Sequence, residues 1–119
     1  RYVHITDCGR MTKEATDFCR QAQTVVLESN YDTRMLENGP YPPELQARIK
    51  GGHGHMSNDE CAEAIGAFIH DGLKEIFLCH LSENNNTPEL AYACSKKVVG
   101  DACRLETLPR RSPTKMFVL

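Results

Sequence analysis

The apolar residues of this chain follow two patterns that alternate along it. Short runs rich in β-branched and aromatic residues predict strands, and stretches with apolar residues every three or four positions predict helices. The predicted strands are residues 2–5, 24–27, 76–79 and 104–108. Because strands and helices alternate, the order β-α-β-(α)-loop-α-β-α-β predicts an α/β layered fold.

Three of the predicted helices have a recognisable first residue. Ser57 and Glu60 form a capping box ahead of an apolar face, and Gly72 is expected to end that helix. Thr12 and Thr87 can cap the other two. The expected inner positions of these two helices are Met11, Ala15, Phe18, Cys19 and Ala22 in the first, and Leu90, Ala91, Cys94 and Val98 in the second. Shorter helical segments are expected at 33–37 and 44–50.

Composition indicates a globular chain whose 119 residues suit one domain or half of a larger one. With 40% hydrophobic and 25% charged residues it does not resemble a disordered segment. A net charge of -2 gives no overall basic footprint for nucleic acid, although basic residues predominate after Arg104. No run reaches the ~20 apolar residues of a membrane span, and no signal peptide is recognisable, so we expect a cytoplasmic protein.

The six cysteines are expected to be free. None forms a C-x-x-C pair, which argues against a zinc knuckle or a redox pair. Cys61 falls on an apolar helix face and Cys79 in an apolar strand. Buried thiols in a reducing cytoplasm are the simplest interpretation.

Polar side chains stand where the predicted elements end. Asp7, Glu28 and His80 follow strands, and His55 lies in a glycine-rich loop before the capped helix. Loops at one end of a layered α/β sheet converge, so these two carboxylates and two imidazoles could form a metal or acid–base cluster. The alternatives are a turn-stabilising Asp7, a solvated Glu28 and a histidine at 80 that is satisfied under its loop.

Three segments together resemble one family. Thr6-Asp7-Cys8-Gly9 resembles the T-D-[TC]-G turn of metallo-β-lactamase-fold proteins, and Cys79-His80-Leu81-Ser82 resembles their last metal-binding strand end. Gly54-His55-Met56-Ser57-Asn58 is similar to the G-H-[LM]-S-N segment of YycJ-type (WalJ-type) hydrolases. Residues 27–32 and 80–90 resemble that subfamily as well. A more distant similarity reaches ribonuclease Z.

The resemblance implies a role for each polar residue. Asp7 would bridge two metal ions and His80 would bind one of them. His55 would face the scissile phosphate, stabilising charge or protonating the leaving oxygen, and Glu28 would orient His55. Glu28 matches an H-E-A-T-like segment only loosely, because Leu27 stands in place of its histidine.

The same resemblance implies substrate contacts and cofactors. Ser57, Asn58 and Asn85 would contact the substrate, which would be a nucleic acid or another phosphodiester. The cofactors would be two divalent ions, Zn or Mn, and part of their ligand set would come from an H-x-H-x-D-H motif. His53-Gly54-His55 lacks the Asp-His that would complete that motif.

The resemblance also implies an architecture larger than this chain. Residues 1–119 would be the C-terminal half of an αββα sandwich, supplying one sheet with its helices. The chain begins with Arg1 at the edge of a predicted strand, so we expect a fragment that is inactive alone. Its sheet would leave one apolar face bare until the N-terminal half, or a second copy, covers it.

The function these expectations favour is that of a metal-dependent phosphodiesterase or nuclease, with DNA exonuclease action implied by the subfamily. The position of His55 ahead of a capped helix favours phosphate, because helix N-termini attract anions. The alternatives are a thioester or small-ester hydrolase of the same fold and a non-catalytic interaction module.

Overall fold

The computed structural model describes residues 2–5, 11–50, 55–82 and 85–108. In chain order the elements are β1 (Tyr2–Ile5), α1 (Lys13–Cys19), β2 (Thr24–Glu28), α2 (Thr33–Asn38), α3 (Pro43–Lys50), α4 (Asn58–Phe68), β3 (Glu75–Cys79), α5 (Pro88–Val99) and β4 (Arg104–Thr107). All four predicted strands and the predicted helices are present, so the α/β class is confirmed.

The strands form one parallel sheet in the order β1-β2-β3-β4. Connections between neighbouring parallel strands are almost always right-handed, so a sheet built in sequential order carries its connecting helices on one face. Parallel strands also place their carboxyl ends together. Glu28 at the end of β2 is therefore paired with Cys79 at the end of β3, one residue before His80.

The main core lies between this sheet and the helices. Val25, Leu27, Ile76 and Leu78 point to the helical side and are fully buried. The helix residues that pack against them come mainly from the predicted apolar face of α4, which are Cys61, Ala64, Ile65 and Phe68. This face and its capping box are confirmed, and the packing holds the N-terminus of α4 beside the strand ends.

The opposite face of the sheet is not bare where it was expected to be. Val26, Phe77 and Cys79 are only 3%, 4% and 8% exposed. Leu108 packs against them, and the Arg104 guanidinium lies 5.7 Å from the centre of the Phe77 ring. The prediction of an uncovered apolar face is therefore wrong at these three positions.

The predicted inner faces of two helical segments are confirmed only in part. In the first, Cys19 and Ala22 are buried as predicted. Phe18 of α1 is 56% exposed, although the spacing placed it inside. In α5 the buried residues are Ala91, Ser95 and Val99. These residues are four positions apart and face α4, whereas Leu90 and Val98 lie outside this face and are exposed. Small side chains such as Ala91 and Ser95 allow α5 to approach α4 closely.

The end of α4 also differs from the prediction. The helix stops at Phe68, and Ile69 continues with extended backbone, four residues before the glycine expected to end it. His70 explains the early stop, because its ring accepts a hydrogen bond from the Gly72 N–H and contacts the Ala22 carbonyl oxygen at 2.9 Å. No helix in the described part of the chain is long and apolar enough to cross a membrane.

The cysteines of the described residues are free thiols, as predicted, and Cys8 lies outside that part. Burial raises the pKa of Cys61 to about 12 and that of Cys94 to about 11. Such thiols remain protonated at neutral pH and are poor nucleophiles and poor metal ligands. Among the described residues, carboxylates and imidazoles are therefore better suited to acid–base or metal chemistry than these thiols.

The raised pKa of Cys61 predicts a specific alkaline instability. An unfolded thiol ionises near pH 9 and the folded one near 12, so the stabilisation from the protonated thiol is present below pH 9 and is lost as pH rises toward 12. We expect the melting temperature to fall more steeply between pH 9 and 10.5 in wild type than in Cys61→Ala. Equal slopes in thermal scans of the two proteins would contradict this assignment.

Candidate active site

The candidate site is built where β2 and β3 end. Glu28 is the last residue of β2 and is fully buried, and His80 follows β3 directly. His55 reaches the same place because the chain beside it pairs with the continuation of β2. The Asn30 N–H donates to the Met56 carbonyl oxygen at 2.9 Å, and a parallel bridge joins Tyr31 to Ser57.

One carboxylate joins the two histidines. Glu28 Oε2 lies 2.7 Å from His55 Nδ1 and 2.7 Å from His80 Nδ1. The second oxygen, Oε1, accepts a longer bond of 3.4 Å from the Met56 N–H. A buried carboxylate needs donors, so we assign a proton to Nδ1 of each ring, which leaves Nε2 as the nitrogen that faces away from Glu28. The ring centres are 5.2 Å apart.

The backbone at His80 is held in an unusual conformation. Its φ is 60°, the only positive value at a non-glycine residue in the described part of the chain. The left-handed region costs roughly 1–2 kcal/mol for such residues. Asn30 holds it in place, since its side-chain amide donates to the His80 carbonyl oxygen at 2.7 Å and its own carbonyl accepts from the Ser82 N–H at 2.8 Å.

The donor set of the cluster fits a divalent transition metal. Ligand atoms of Glu28, His55 and His80 all lie within 4.8 Å of one another, and imidazole with carboxylate suits Zn or Mn. Two ligands of one tetrahedral ion with bonds of about 2.1 Å lie about 3.4 Å apart. The 2.7 Å contacts of Glu28 are shorter and are hydrogen bonds, so Glu28 would orient the rings, and a histidine that binds the ion would do so through Nε2.

The other predicted residues separate into three groups. Asp7 lies outside the described residues. The Ser57 hydroxyl accepts from the Glu60 N–H at 3.0 Å to cap α4, and Asn58 is 2% exposed in a buried amide network. Neither lines the cleft beside the histidines, so substrate contact through these two side chains stays a prediction that the geometry does not favour. Asn85 does line it.

The buried network identifies residues that the sequence analysis missed. Asn58 and Asn86 exchange two side-chain hydrogen bonds of 2.8 and 2.9 Å, and the Ser29 hydroxyl donates to Asn58 Oδ1 at 2.6 Å. The Asn86 amide also donates to the carbonyl oxygens of Ser29 and Asn30. The network thus ties the end of β2 to the starts of α4 and α5. Its only sequence signal is the polar run after each buried strand.

A cleft of about 440 Å³ opens beside the histidines. Its polar side consists of Asn30, His55, His80, Ser82 and Asn85, and its apolar side of Tyr31, Leu36, Tyr41, Leu45, Ile49 and Leu81. The N-terminus of α4 contributes little to anion binding, because its N–H groups are capped and its first turn carries Asp59 and Glu60. The start of this helix therefore gives little support to a phosphate-binding site.

The known proteins that this chain resembles carry related names. No protein-family model matches the chain. An exodeoxyribonuclease YycJ of Bacillus anthracis is 35% identical over 119 residues, which cover 94% of this chain and 45% of that protein. An exodeoxyribonuclease WalJ from two strains of Streptococcus pneumoniae is 35% identical over 91 residues, 76% of this chain and 34% of the relative.

These matches support the YycJ/WalJ-type family. The chain spans less than half the length of the curated relatives that it matches. The Bacillus anthracis alignment covers most of this chain, and that relative is named an exodeoxyribonuclease.

The role of Glu28 in fixing both rings can be measured directly. In wild type we expect the imidazole ¹⁵N shifts of His55 and His80 to report protonation on Nδ1 in the neutral state. Glu28→Gln removes the shared acceptor and presents an amide, so Nε2-protonated rings should appear in both residues. Glu106→Gln, a change at an exposed carboxylate, is the matched control. Unchanged ring protonation in Glu28→Gln would show that another group fixes the histidines.

A second variant tests whether Ser57 caps a helix or contacts substrate. Ser57→Ala should lower the free energy of unfolding by about 1 kcal/mol, the usual effect of a lost N-cap. Thr12→Ala removes the equivalent cap of α1, where Thr12 accepts from the Ala15 N–H at 3.1 Å. If Ser57 only caps α4, both variants should leave the KM of the complete natural protein for its substrate unchanged. A rise in KM confined to Ser57→Ala would restore its predicted role in substrate binding.

Proposed function

We propose that this chain carries part of the active site of a metal-dependent phosphodiesterase that degrades DNA. The observation that carries the proposal is the buried Glu28 carboxylate shared by two imidazoles at the mouth of a cleft. Support comes from the relatives, which are named exodeoxyribonucleases. Residues 1–119 would form the C-terminal half of a metallo-β-lactamase αββα sandwich, with one parallel sheet and its helices.

In this proposal His80 and Asp7 bind the metal ions. Asp7 follows β1, which neighbours β2 in the sheet, so its chain position suits the same edge. His80 offers Nε2 because Glu28 occupies Nδ1. Two divalent ions, Zn or Mn, would activate water and offset negative charge on the phosphoryl group. The remaining ligands would come from a segment with the H-x-H-x-D-H motif, which this sequence lacks.

His55 handles the proton on the substrate side. Its side chain is partly exposed and lines the cleft, while its Nδ1 is engaged with Glu28. The ring is therefore fixed so that Nε2 is the atom that exchanges a proton with the leaving oxygen. General acids placed in this way contribute about 10²–10⁴ to rate. Glu28 is a positioning residue for both histidines and does not itself meet the substrate.

A thioester or small-ester hydrolase remains the second candidate, because the apolar side of the cleft would also suit an acyl chain. Turnover of a DNA oligonucleotide against that of an acyl thioester, measured on the complete natural protein, separates the two. Loss of both activities in preparations with full metal content would favour a non-catalytic module.

The different roles proposed for the two histidines give the most direct test of the proposed function. In the complete natural protein, His55→Ala should lower DNA turnover by roughly 10²–10⁴ with metal content nearly normal. His80→Ala and Asp7→Ala should lower metal content and turnover together. Metal is measured by elemental analysis and turnover on DNA and on a bis-aryl phosphate.

His70→Ala is the matched control for this experiment. His70 lies away from the cleft, where its ring contacts the Ala22 carbonyl oxygen and Gly72. It should therefore change neither metal content nor turnover. Near wild-type turnover in His55→Ala would end its assignment as proton donor, and loss of metal in that variant would make it a ligand.

A further inference from the structure

The apolar side of the cleft has no part in the chemistry described so far. It is formed largely by the segment from α2 to α3, through Leu36, Tyr41, Leu45 and Ile49. Leu45 and Ile49 are four residues apart and so lie on the same side of α3. Helix α3 buries none of its residues, and Leu45 is 36% exposed. We call Tyr41, Leu45 and Ile49 the apolar wall.

The floor of the cleft carries a polar group that lacks a partner. Asn85 is 2% exposed, and its Oδ1 is the buried side-chain oxygen without a hydrogen-bond donor among the described residues. Its backbone is fixed, since its carbonyl accepts from the Asp32 N–H at 2.7 Å and its N–H donates to the Ser82 hydroxyl at 3.2 Å. An unsatisfied buried oxygen is unfavourable. A ligand that brings an N–H to this point would relieve it.

Charge beside the wall indicates a phosphate-bearing ligand. Arg34 on α2 and Arg48 on α3 are exposed, and neither forms an ion pair within the described residues. Arg48 is three residues after Leu45, so it borders the side of α3 that lines the cleft. Lys50 differs, because it pairs with Glu37. Guanidinium groups bind phosphate oxygens in pairs of hydrogen bonds.

From these observations we propose that the apolar wall binds a nucleobase of the substrate strand. The base next to the scissile phosphate would stack on the Tyr41 ring beside Leu45 and Ile49, and one of its N–H groups would meet Asn85 Oδ1. Each base has a face that stacks and an N–H that donates, so the subsite would accept any of the four bases. Arg34 and Arg48 would contact the phosphates that follow.

The proposal rests on the proposed function, and an acyl chain would fit these observations less well. An acyl chain would contact Leu45 and Ile49 but would leave Asn85 Oδ1 without a donor and the arginines without an anion. A base with its phosphates satisfies the wall, the amide oxygen and the charges together.

Oligonucleotides whose two terminal nucleotides are either normal or abasic test the proposal on the complete natural protein, with the change made at either end. We expect wild type to cleave normal ends about tenfold or more faster in kcat/KM than abasic ends, in line with base–aromatic stacking. Tyr41→Ala should lose most of this preference by slowing cleavage of normal ends alone. Tyr41→Phe should keep it, because the ring remains.

Tyr92→Ala is the matched control, since Tyr92 is an exposed tyrosine of α5 that does not line the cleft. It should retain the full preference for normal ends. Equal cleavage of normal and abasic ends by wild type and Tyr41→Ala overturns the nucleobase subsite while the proposed function stands. A Tyr41-dependent turnover of an acyl thioester without any base preference overturns it in favour of an acyl chain.

Binding without turnover separates this inference from the proposed function. The same oligonucleotides, labelled for fluorescence anisotropy, should bind wild type more tightly with normal than with abasic ends, and Tyr41→Ala should bind both alike. If DNA is not cleaved but this difference is present, the subsite stands and the proposed function fails. If neither cleavage nor base-dependent binding is seen, both are wrong.

Discussion

The geometry of the whole site depends on the burial of one carboxylate. Glu28 is removed from water at the end of a central strand, and its charge has to be met by donors from two different loops. His55 and His80 provide those donors at equal distances of 2.7 Å. The demand of the buried charge therefore fixes two rings that are 25 positions apart in the chain, and with them the nitrogen that each presents outward.

A network of buried, uncharged side chains supports this arrangement. The amides of Asn58 and Asn86 pair beneath the cluster and bind the backbone that follows Glu28. Because these groups are buried, each missing partner would cost about 1–3 kcal/mol, and the network tolerates little displacement. The strand end, the loop carrying His55 and the start of α5 are thereby held as one unit. Rigid support of this kind lets the site keep its geometry even though α3, which lines the same cleft, buries none of its residues.

Much of the fold could be predicted from the sequence because its signals are local. The strand at residues 24–27 is an unbroken apolar run, and the capping box of Ser57 and Glu60 depends on residues three apart. The buried stripe of α5 could not be predicted, since helical spacing alone does not distinguish Ala91 from Leu90. The close approach of a neighbouring helix determines which of these residues is buried.

The site was predictable in part for the same reason. Strand ends and the family resemblance pointed to Glu28, His55 and His80, and the structure brings all three together. Among three consecutive asparagines, however, nothing local indicates which one is buried in a network and which one faces a cleft. Asn85 and Asn86 are distinguished only by what the rest of the chain places around them.

The left-handed backbone at residue 80 limits how this site can be redesigned or can diverge. Histidine, asparagine and aspartate enter that conformation far more readily than other side chains that are not glycine, and β-branched residues hardly do so at all. An exchange of the side chain at this position, which we propose to be a metal ligand, is therefore restricted by backbone geometry before any ligand preference applies. Aspartate is the replacement that keeps both the turn and a metal-binding atom, whereas a thiolate ligand would require the loop after β3 to be rebuilt. If the site holds a metal as proposed, the backbone conformation of this one residue would thus limit which ligands, and therefore which metals, related proteins could use here.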